Sequence, residues 1–194
     1  MTKRCLDIAC ATVGLALFSP VLLVVAAMIR GEDGGPILFR QDRVGRFGSA
    51  FRVFKFRTMR NGEVTGVGRW LRGTGIDEIP QFINVLFGDM SVVGPRPLTR
   101  MDIERLGWNI PRYEERWSVR PGITGLAQLY GGYSARVSWY LDRRYLRFQS
   151  VLLDLWLIFL SFVVNIVGKQ RMRVWLTGRR AARTGRGGGS CPAA

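Results

Sequence analysis

Two adjacent carboxylates, Asp77 and Glu78, head an amphipathic run, Ile79 to Leu86, that leads to the rigid turn Gly94-Pro95-Arg96-Pro97. Pro80 suits a first helical turn, so the pattern predicts a helix starting near Asp77. Two anionic side chains and a positive helix end then meet at one point, where a metal-bound phosphate can dock. An isolated Asp-Glu pair more often only starts a helix. The rest of the chain has to decide between the two.

The chain contains no histidine. Ser-His-Asp and Cys-His nucleophile systems, histidine general bases and histidine metal sites are therefore excluded, and acid, base and metal work falls to Asp and Glu. Cys5, Cys10 and Cys191 show no metal or redox spacing. With 29 Lys and Arg against 14 Asp and Glu, the 194-residue chain carries a formal charge of +15. That balance calls for an anionic partner: nucleic acid, a phosphorylated substrate or anionic lipid. Arg40, Arg43, Arg46, Lys55 and Arg57 form a basic cluster around the alternating strand pattern of Phe51 to Phe56. It reads as a phosphate cradle, a solvated face or a contact for lipid headgroups.

The elements around these residues point to a membrane surface. Ile8 to Ile29 is apolar and, as a straight helix, reaches about 33 Å, enough to cross a bilayer. A cleaved signal peptide is disfavoured by its length and by Met28-Ile29-Arg30, which is no small-residue cleavage site. Ser19-Pro20 interrupts the run, and both flanks are rich in Lys and Arg. A helix that enters, breaks and returns satisfies both features, while a kinked spanning helix remains equally open. Val137, Tyr140, Leu141, Tyr145 and Phe148 fall at near-helical spacing among arginines, which suits an interfacial helix or an ordinary amphipathic one. Val151 to Val167 is apolar except for Asp154, Ser161 and Asn165, which share one narrow helical stripe. That stripe predicts a helix lying on the body of the protein. Residues 168–194 read as a basic, disordered tail.

Taken in order, the motifs resemble one family. They are Lys3-Arg4-x-x-Asp7, Ser19-Pro20, Phe39-Arg-Gln-Asp-Arg-Val-Gly45, Lys55-Phe-Arg-Thr-Met59, Gly68-Arg-Trp-Leu-Arg72, Asp77-Glu-Ile-Pro-Gln81, the stretch from Asn84 to Pro97, and Arg120-Pro-Gly-Ile-Thr-Gly-Leu-Ala-Gln128. Each is weak singly; the ordered set is specific. It is similar to the bacterial sugar transferases, the monotopic phosphoglycosyl transferases, in their small form.

The resemblance implies a mixed α/β, mainly helical monotopic membrane protein. Residues 1–30 would form a re-entrant helix-break-helix bent at Ser19 and Pro20. Residues 31–167 would form a catalytic domain with interfacial amphipathic helices on the cytoplasmic face of the bacterial inner membrane. It implies transfer of a sugar-1-phosphate from a UDP-sugar to undecaprenyl phosphate, with release of UMP. Asp77 would be the nucleophile, forming a covalent sugar-phosphoryl enzyme, and Glu78 would help Asp77 hold Mg²⁺. Lys55, Arg72, Arg96 and Arg120 match phosphate or nucleotide contacts, followed by Arg57 and Gln81. A carboxylate nucleophile needs no general base, which agrees with the absence of histidine. Membrane lipids are expected partners, nucleic acid is not, and a homodimer is permitted but not specified. The segment Arg60 to Val67 is shorter than the family pattern, and Ile76 and Gly75 replace its usual Leu and Ser. The alternative is a non-catalytic basic module that binds anionic lipid, or a degenerate relative serving glycan assembly.

Overall fold

A computed structural model describes residues 3–130 and 134–167. The apolar N-terminal run folds as one helix, α1 (Lys3–Asp33), of 31 residues. The expected division at Ser19-Pro20 is absent from its secondary structure. Pro20 has no N–H for the carbonyl of Ala16, four residues back. The Ser19 hydroxyl donates to that carbonyl at 2.8 Å, so the acceptor is satisfied within the helix.

One face of α1 packs on the body through Ala11, Val25 and Ile29, all buried. Gly14 lies against the Phe82 ring, where an added Cβ would come within 3.1 Å. The other face presents Ile8, Val13, Leu17, Val21, Val24 and Met28, all exposed. Polar contacts tie down both ends. Lys3 Nζ donates to Asp154 Oδ2 at 2.6 Å and to the Val93 carbonyl at 3.0 Å. Arg4 donates to the carbonyls of Val85 and Leu86. Buried Asp7 accepts from the Ser91 hydroxyl at 2.8 Å and the Val92 N–H at 2.9 Å. At the far end Glu32 accepts from the Gly66 N–H at 2.8 Å, and Asp33 pairs with Arg57.

Strand β1 (Leu38–Val44) pairs antiparallel with β2 (Ala50–Phe56), from Leu38 opposite Phe56 to Val44 opposite Ala50. The strand read from Phe51 onward is thus the second half of a hairpin. Asn61 and Gly62, both at positive φ, turn a second hairpin between β3 (Met59–Arg60) and β4 (Glu63–Val64). Asn-Gly is the pair that such tight turns favour. Helix α2 (Gly66–Thr74) starts on a Thr65 cap and stops at Gly75. After a 3₁₀ turn, Ile76–Glu78, comes α3 (Gln81–Phe87), with Pro80 at its N-cap. The helix expected near Asp77 therefore begins four residues later, and the carboxylates sit on the turn before it.

Strand β5 (Ser91–Val93) pairs parallel with β6 (Gly122–Thr124). Between them lie α4 (Arg100–Leu106), closed by a Thr99/Asp102 capping box, and a 3₁₀ segment, Pro111–Ser118. The described chain ends with α5 (Leu126–Tyr130), α6 (Ala135–Phe148) and α7 (Val151–Val167). On α6, Trp139, Asp142 and Tyr145 are buried, while Val137, Tyr140 and Phe148 face outward among exposed arginines. The polar stripe of α7 faces the body as expected. Asp154 is buried and accepts from Lys3 and Tyr145, Ser161 pairs with Thr124, and Asn165 lies near Gly75. Leu152, Leu155, Trp156, Phe159 and Phe162 stay exposed on its other side. Ala11, Val53, Val85, Met90, Tyr145 and Leu157 form a core cluster that joins α1, β2, α3, α6 and α7. The basic tail lies outside the described residues.

Candidate active site

Gly75 ends α2 at φ 78° and returns its N–H to the Leu71 carbonyl. This left-handed turn, natural for glycine, sends the chain straight into the Ile76–Glu78 turn. Lys55 reaches across from β2, and its Nζ lies 2.6 Å from Glu78 Oε1. Asn84, fully buried on α3, fixes this crossing. It accepts from the Phe54 N–H at 2.9 Å and donates to the Arg52 carbonyl at 2.7 Å. One side chain thus satisfies the backbone on either side of Val53 and locks α3 to the strand carrying Lys55.

Burial pushes the Asp77 carboxyl above the ordinary carboxylate range, and the negative charge of Glu78 adds to the rise. Lys55 and Arg72 act in the opposite direction. Arg72 is oriented by its Nε donating to the Thr58 hydroxyl at 2.9 Å. Gln81, buried at the start of α3, lines a small polar cleft with Arg43, Lys55, Glu78, Arg96 and Gln128. A larger cleft of about 1410 Å³ opens from Glu78 between α1, α3, α5, α6 and α7. Phe18, Phe82, Ile158 and Phe162 give it apolar walls. Asp77 lines neither cleft, while its neighbours Ile76 and Glu78 line the larger one.

The Gly94-Pro-Arg-Pro97 turn is anchored carbonyl by carbonyl. Pro95 O accepts from the Gly122 N–H at 2.8 Å, and Leu98 O from the Val44 N–H at 2.8 Å. Arg43 Nη1 donates to Pro97 O at 3.2 Å, and Arg116 Nη2 to Arg96 O at 2.7 Å. An added Cβ on Gly122 would sit 2.1 Å from the Gly94 nitrogen, so only glycine allows β6 this close. The Arg96 side chain itself is exposed and borders both clefts.

The structure therefore gathers Asp77, Glu78, Lys55, Gln81 and Arg96, with Arg72 beside Asp77. Two other expected contacts are engaged elsewhere. Arg57 pairs with Asp33 at the end of α1. Arg120 Nε donates to the Gly88 carbonyl at 2.6 Å, closing the end of α3, and lines neither cleft. Arg43, Asn84 and Gln128 belong to the site without having been assigned a role in it from the sequence. The two glutamine and asparagine positions lay inside motifs already noted, and Arg43 lay in the basic cluster.

Among the described residues no three acidic, cysteine or histidine side chains cluster as a metal site. Asp77 and Glu78 are a two-carboxylate oxygen set. That set fits Mg²⁺, which takes one or two protein carboxylates and completes its shell with substrate phosphates and water. Burial, with the adjacent Glu78 charge, disfavours the ionised form of Asp77, and a bound cation would favour it.

The bacterial sugar transferase family model matches residues 1–168. The chain belongs to the bacterial sugar transferase family. A UDP-N-acetylgalactosamine-undecaprenyl-phosphate N-acetylgalactosaminephosphotransferase of Aeromonas hydrophila is 40% identical over 185 residues, covering 86% of this chain and 44% of the relative. A UDP-glucose:undecaprenyl-phosphate glucose-1-phosphate transferase of Klebsiella pneumoniae is 40% identical over 190 residues, covering 86% of this chain and 40% of the relative. The chain thus spans less than half the length of these two family members. The exopolysaccharide production protein PSS of Rhizobium leguminosarum is 37% identical over 192 residues, covering 84% of this chain and 94% of the relative.

Proposed function

We propose that this protein is a phosphoglycosyl transferase that moves a sugar-1-phosphate from a UDP-sugar to undecaprenyl phosphate, starting a surface glycan. The observation that carries this reading is the Lys55–Glu78 contact beside Asp77, at the mouth of an apolar cleft bordered by α1. The named activities of the Aeromonas and Klebsiella relatives support it.

In this mechanism an Asp77 carboxylate oxygen attacks the β-phosphorus of the donor. The bond from that phosphorus to the bridging oxygen breaks, and UMP leaves with the oxygen. An oxygen of undecaprenyl phosphate then attacks the same phosphorus, freeing the Asp77 carboxylate and giving the polyprenyl diphosphate sugar. Burial leaves the nucleophile poorly solvated, and Lys55 and Arg72 favour its ionised form against that burial. Arg96 presents a guanidinium to the donor phosphates, the geometry suited to bidentate phosphate binding. Asp77 and Glu78 would hold Mg²⁺, which supplies neutralisation of the pyrophosphate charge.

The membrane arrangement belongs to the same proposal. Both ends of α1 make polar contacts with one body, through Lys3, Arg4 and Asp7 at one end and Glu32 and Asp33 at the other. Contacts of both ends with one body support a reading in which the two ends lie on the same side of the hydrocarbon layer, about 30 Å thick. In this reading α1 lies along the cytoplasmic face of the inner membrane, with its exposed apolar face in lipid. The apolar face of α7 and the Tyr140, Phe148 and arginine face of α6 lie at the interface. The apolar cleft then opens where a polyprenyl chain arrives.

The test uses purified protein in nanodiscs with Mg²⁺ and a panel of UDP-sugars, following UMP release with and without undecaprenyl phosphate. Mg²⁺-dependent release with at least one donor, absent in Asp77→Asn, is expected. Undiminished turnover by Asp77→Asn would remove Asp77 as the nucleophile.

A further inference from the structure

Arg116 takes part in none of the steps above, yet it is among the most deeply buried charged side chains in the described protein. Its side chain is 2% exposed, and that of its partner Asp142 is 4% exposed. Arg116 Nε donates to Asp142 Oδ2 at 2.9 Å. Its guanidinium lies over two indole rings, 5.1 Å from the Trp108 ring and 4.9 Å from that of Trp117. Its Nη2 donates to the Arg96 carbonyl at 2.7 Å.

Stability alone is a poor reason to keep such a pair. Removing two charges from water costs about what their attraction returns, and apolar replacements of similar volume often do as well. An apolar side chain, however, cannot donate to the Arg96 carbonyl. That carbonyl belongs to a residue between two prolines, neither of which has an N–H to fix the turn. The peptide plane after Arg96 is held by its own acceptor contact alongside those at Pro95 O and Pro97 O, and Arg116 supplies the donor to it. The guanidinium is in turn held by the 3₁₀ segment, by α6 through Asp142, and by the indole faces, so it has one orientation available. Lysine cannot reproduce this, because its single ammonium has no planar face to stack and no fixed fork.

We infer that Arg116, oriented by Asp142, is a positioning residue that sets the Arg96 peptide and thereby aims the Arg96 guanidinium at the diphosphate of the donor. This rests on the reading of Arg96 as a phosphate contact. It extends that reading to a buried pair, Arg116 and Asp142, separated by 26 residues in sequence.

The test is a double-mutant cycle on the full chain in nanodiscs, with UDP and Mg²⁺ as the probe. It measures UDP affinity and thermal unfolding for the parent, Arg96→Ala, Arg116→Lys and the double variant. Arg96→Ala is expected to weaken UDP binding, and Arg116→Lys to weaken it by about tenfold, the loss of roughly one charge-assisted hydrogen bond. On the Arg96→Ala background Arg116→Lys should change affinity less than about twofold, since residues acting through one another are not additive. Asp142→Ala, which removes the acceptor that orients Arg116 Nε while leaving the guanidinium in place, carries the same expectation if the lysine variant does not fold. Parental UDP affinity in folded Arg116→Lys, with only a lower Tm, overturns the inference. So does a loss that multiplies on the Arg96→Ala background. Unchanged affinity in Arg96→Ala itself overturns the reading of Arg96, and the inference with it.

Discussion

Lys55 Nζ lies 2.6 Å from Glu78 Oε1, joining the open end of the β1–β2 hairpin to the turn that carries Asp77. Both side chains keep part of their surface, 19% and 27% respectively, so the pair sits at the edge of the site and not in the core. Its value is placement. The ammonium is close enough to lower the carboxyl range of Asp77 against the burial and the Glu78 charge that raise it. Asn84 keeps that geometry from drifting by bonding the strand on either side.

Lys55→Met removes a charge that favours ionised Asp77. The Asp77 carboxyl should therefore rise further, and the acid limb of the pH profile of kcat/KM for UMP release should move to higher pH. The rate at neutral pH should fall by about 10²-fold or more, in line with the loss of one preorganised charge contact. An unmoved acid limb would separate Lys55 from Asp77.

Asp77 should cost the protein stability. Its folded-state carboxyl is raised above the unfolded value, so the folded state binds more protons in the window between them. Stability is then lost as pH rises through that window, and at neutral pH the ionised form is a burden. Asp77→Asn should raise Tm by about 1–4 °C, a modest gain because the group is partly exposed and screened. Differential scanning fluorimetry in detergent reads this, and a lowered Tm would contradict it.

The anchoring of α1 gives a different kind of prediction. Asp7 is 3% exposed and accepts from both Ser91 and Val92. Asp7→Ala leaves the buried Val92 N–H without its acceptor, while the Ser91 hydroxyl keeps the Val93 carbonyl at 2.9 Å, at a cost of roughly 1–3 kcal/mol. The strand it releases, β5, leads directly to Gly94 and Arg96. Tm and UMP release should fall together, whereas Leu17→Ala on the exposed apolar face should leave the Tm in detergent within about 1 °C.

Much of this arrangement was legible before the fold was known, and the misses have physical causes. Asp77, Glu78, Lys55 and Arg96 were picked out by the motifs of the family resemblance, and the fold brings them together. The α7 stripe followed from helical period alone, because Asp154, Ser161 and Asn165 recur on one face. Strand β1 was not legible. Its centre, Arg40-Gln-Asp-Arg43, lacks apolar alternation, and the strand exists because β2 pairs with it residue for residue. Helix α1 runs through Pro20, with the Ser19 hydroxyl satisfying the Ala16 carbonyl that the proline leaves without a donor, a contact propensity rules do not count. Arg57 carried the same charge and local motif as Lys55, but two residues along it meets Asp33. No local pattern reports a partner 24 residues away.

Gly68 illustrates a requirement set by packing. A Cβ there would come 2.1 Å from the Thr58 carbonyl, and Thr58 also holds Arg72 through its hydroxyl. Gly68→Ala should push α2 off the β2–β3 connection and misplace Arg72 and the turn that follows. A loss of about 2–4 kcal/mol in stability is expected from such overpacking against backbone, with a matching fall in UMP release. Gly73→Ala, where nothing lies within 4 Å of the added Cβ, should leave both intact.

The central claim is that the Asp77 carboxylate takes the sugar phosphate. Intact-protein mass spectrometry after incubation with Mg²⁺ and the accepted UDP-sugar, without undecaprenyl phosphate, tests it most directly. The account predicts a mass increase of one sugar-phosphoryl group that maps to the peptide containing Asp77. The adduct should disappear on adding undecaprenyl phosphate and should never form in Asp77→Asn. An adduct on another residue, or lipid-dependent turnover with no adduct and undiminished by Asp77→Asn, would contradict it.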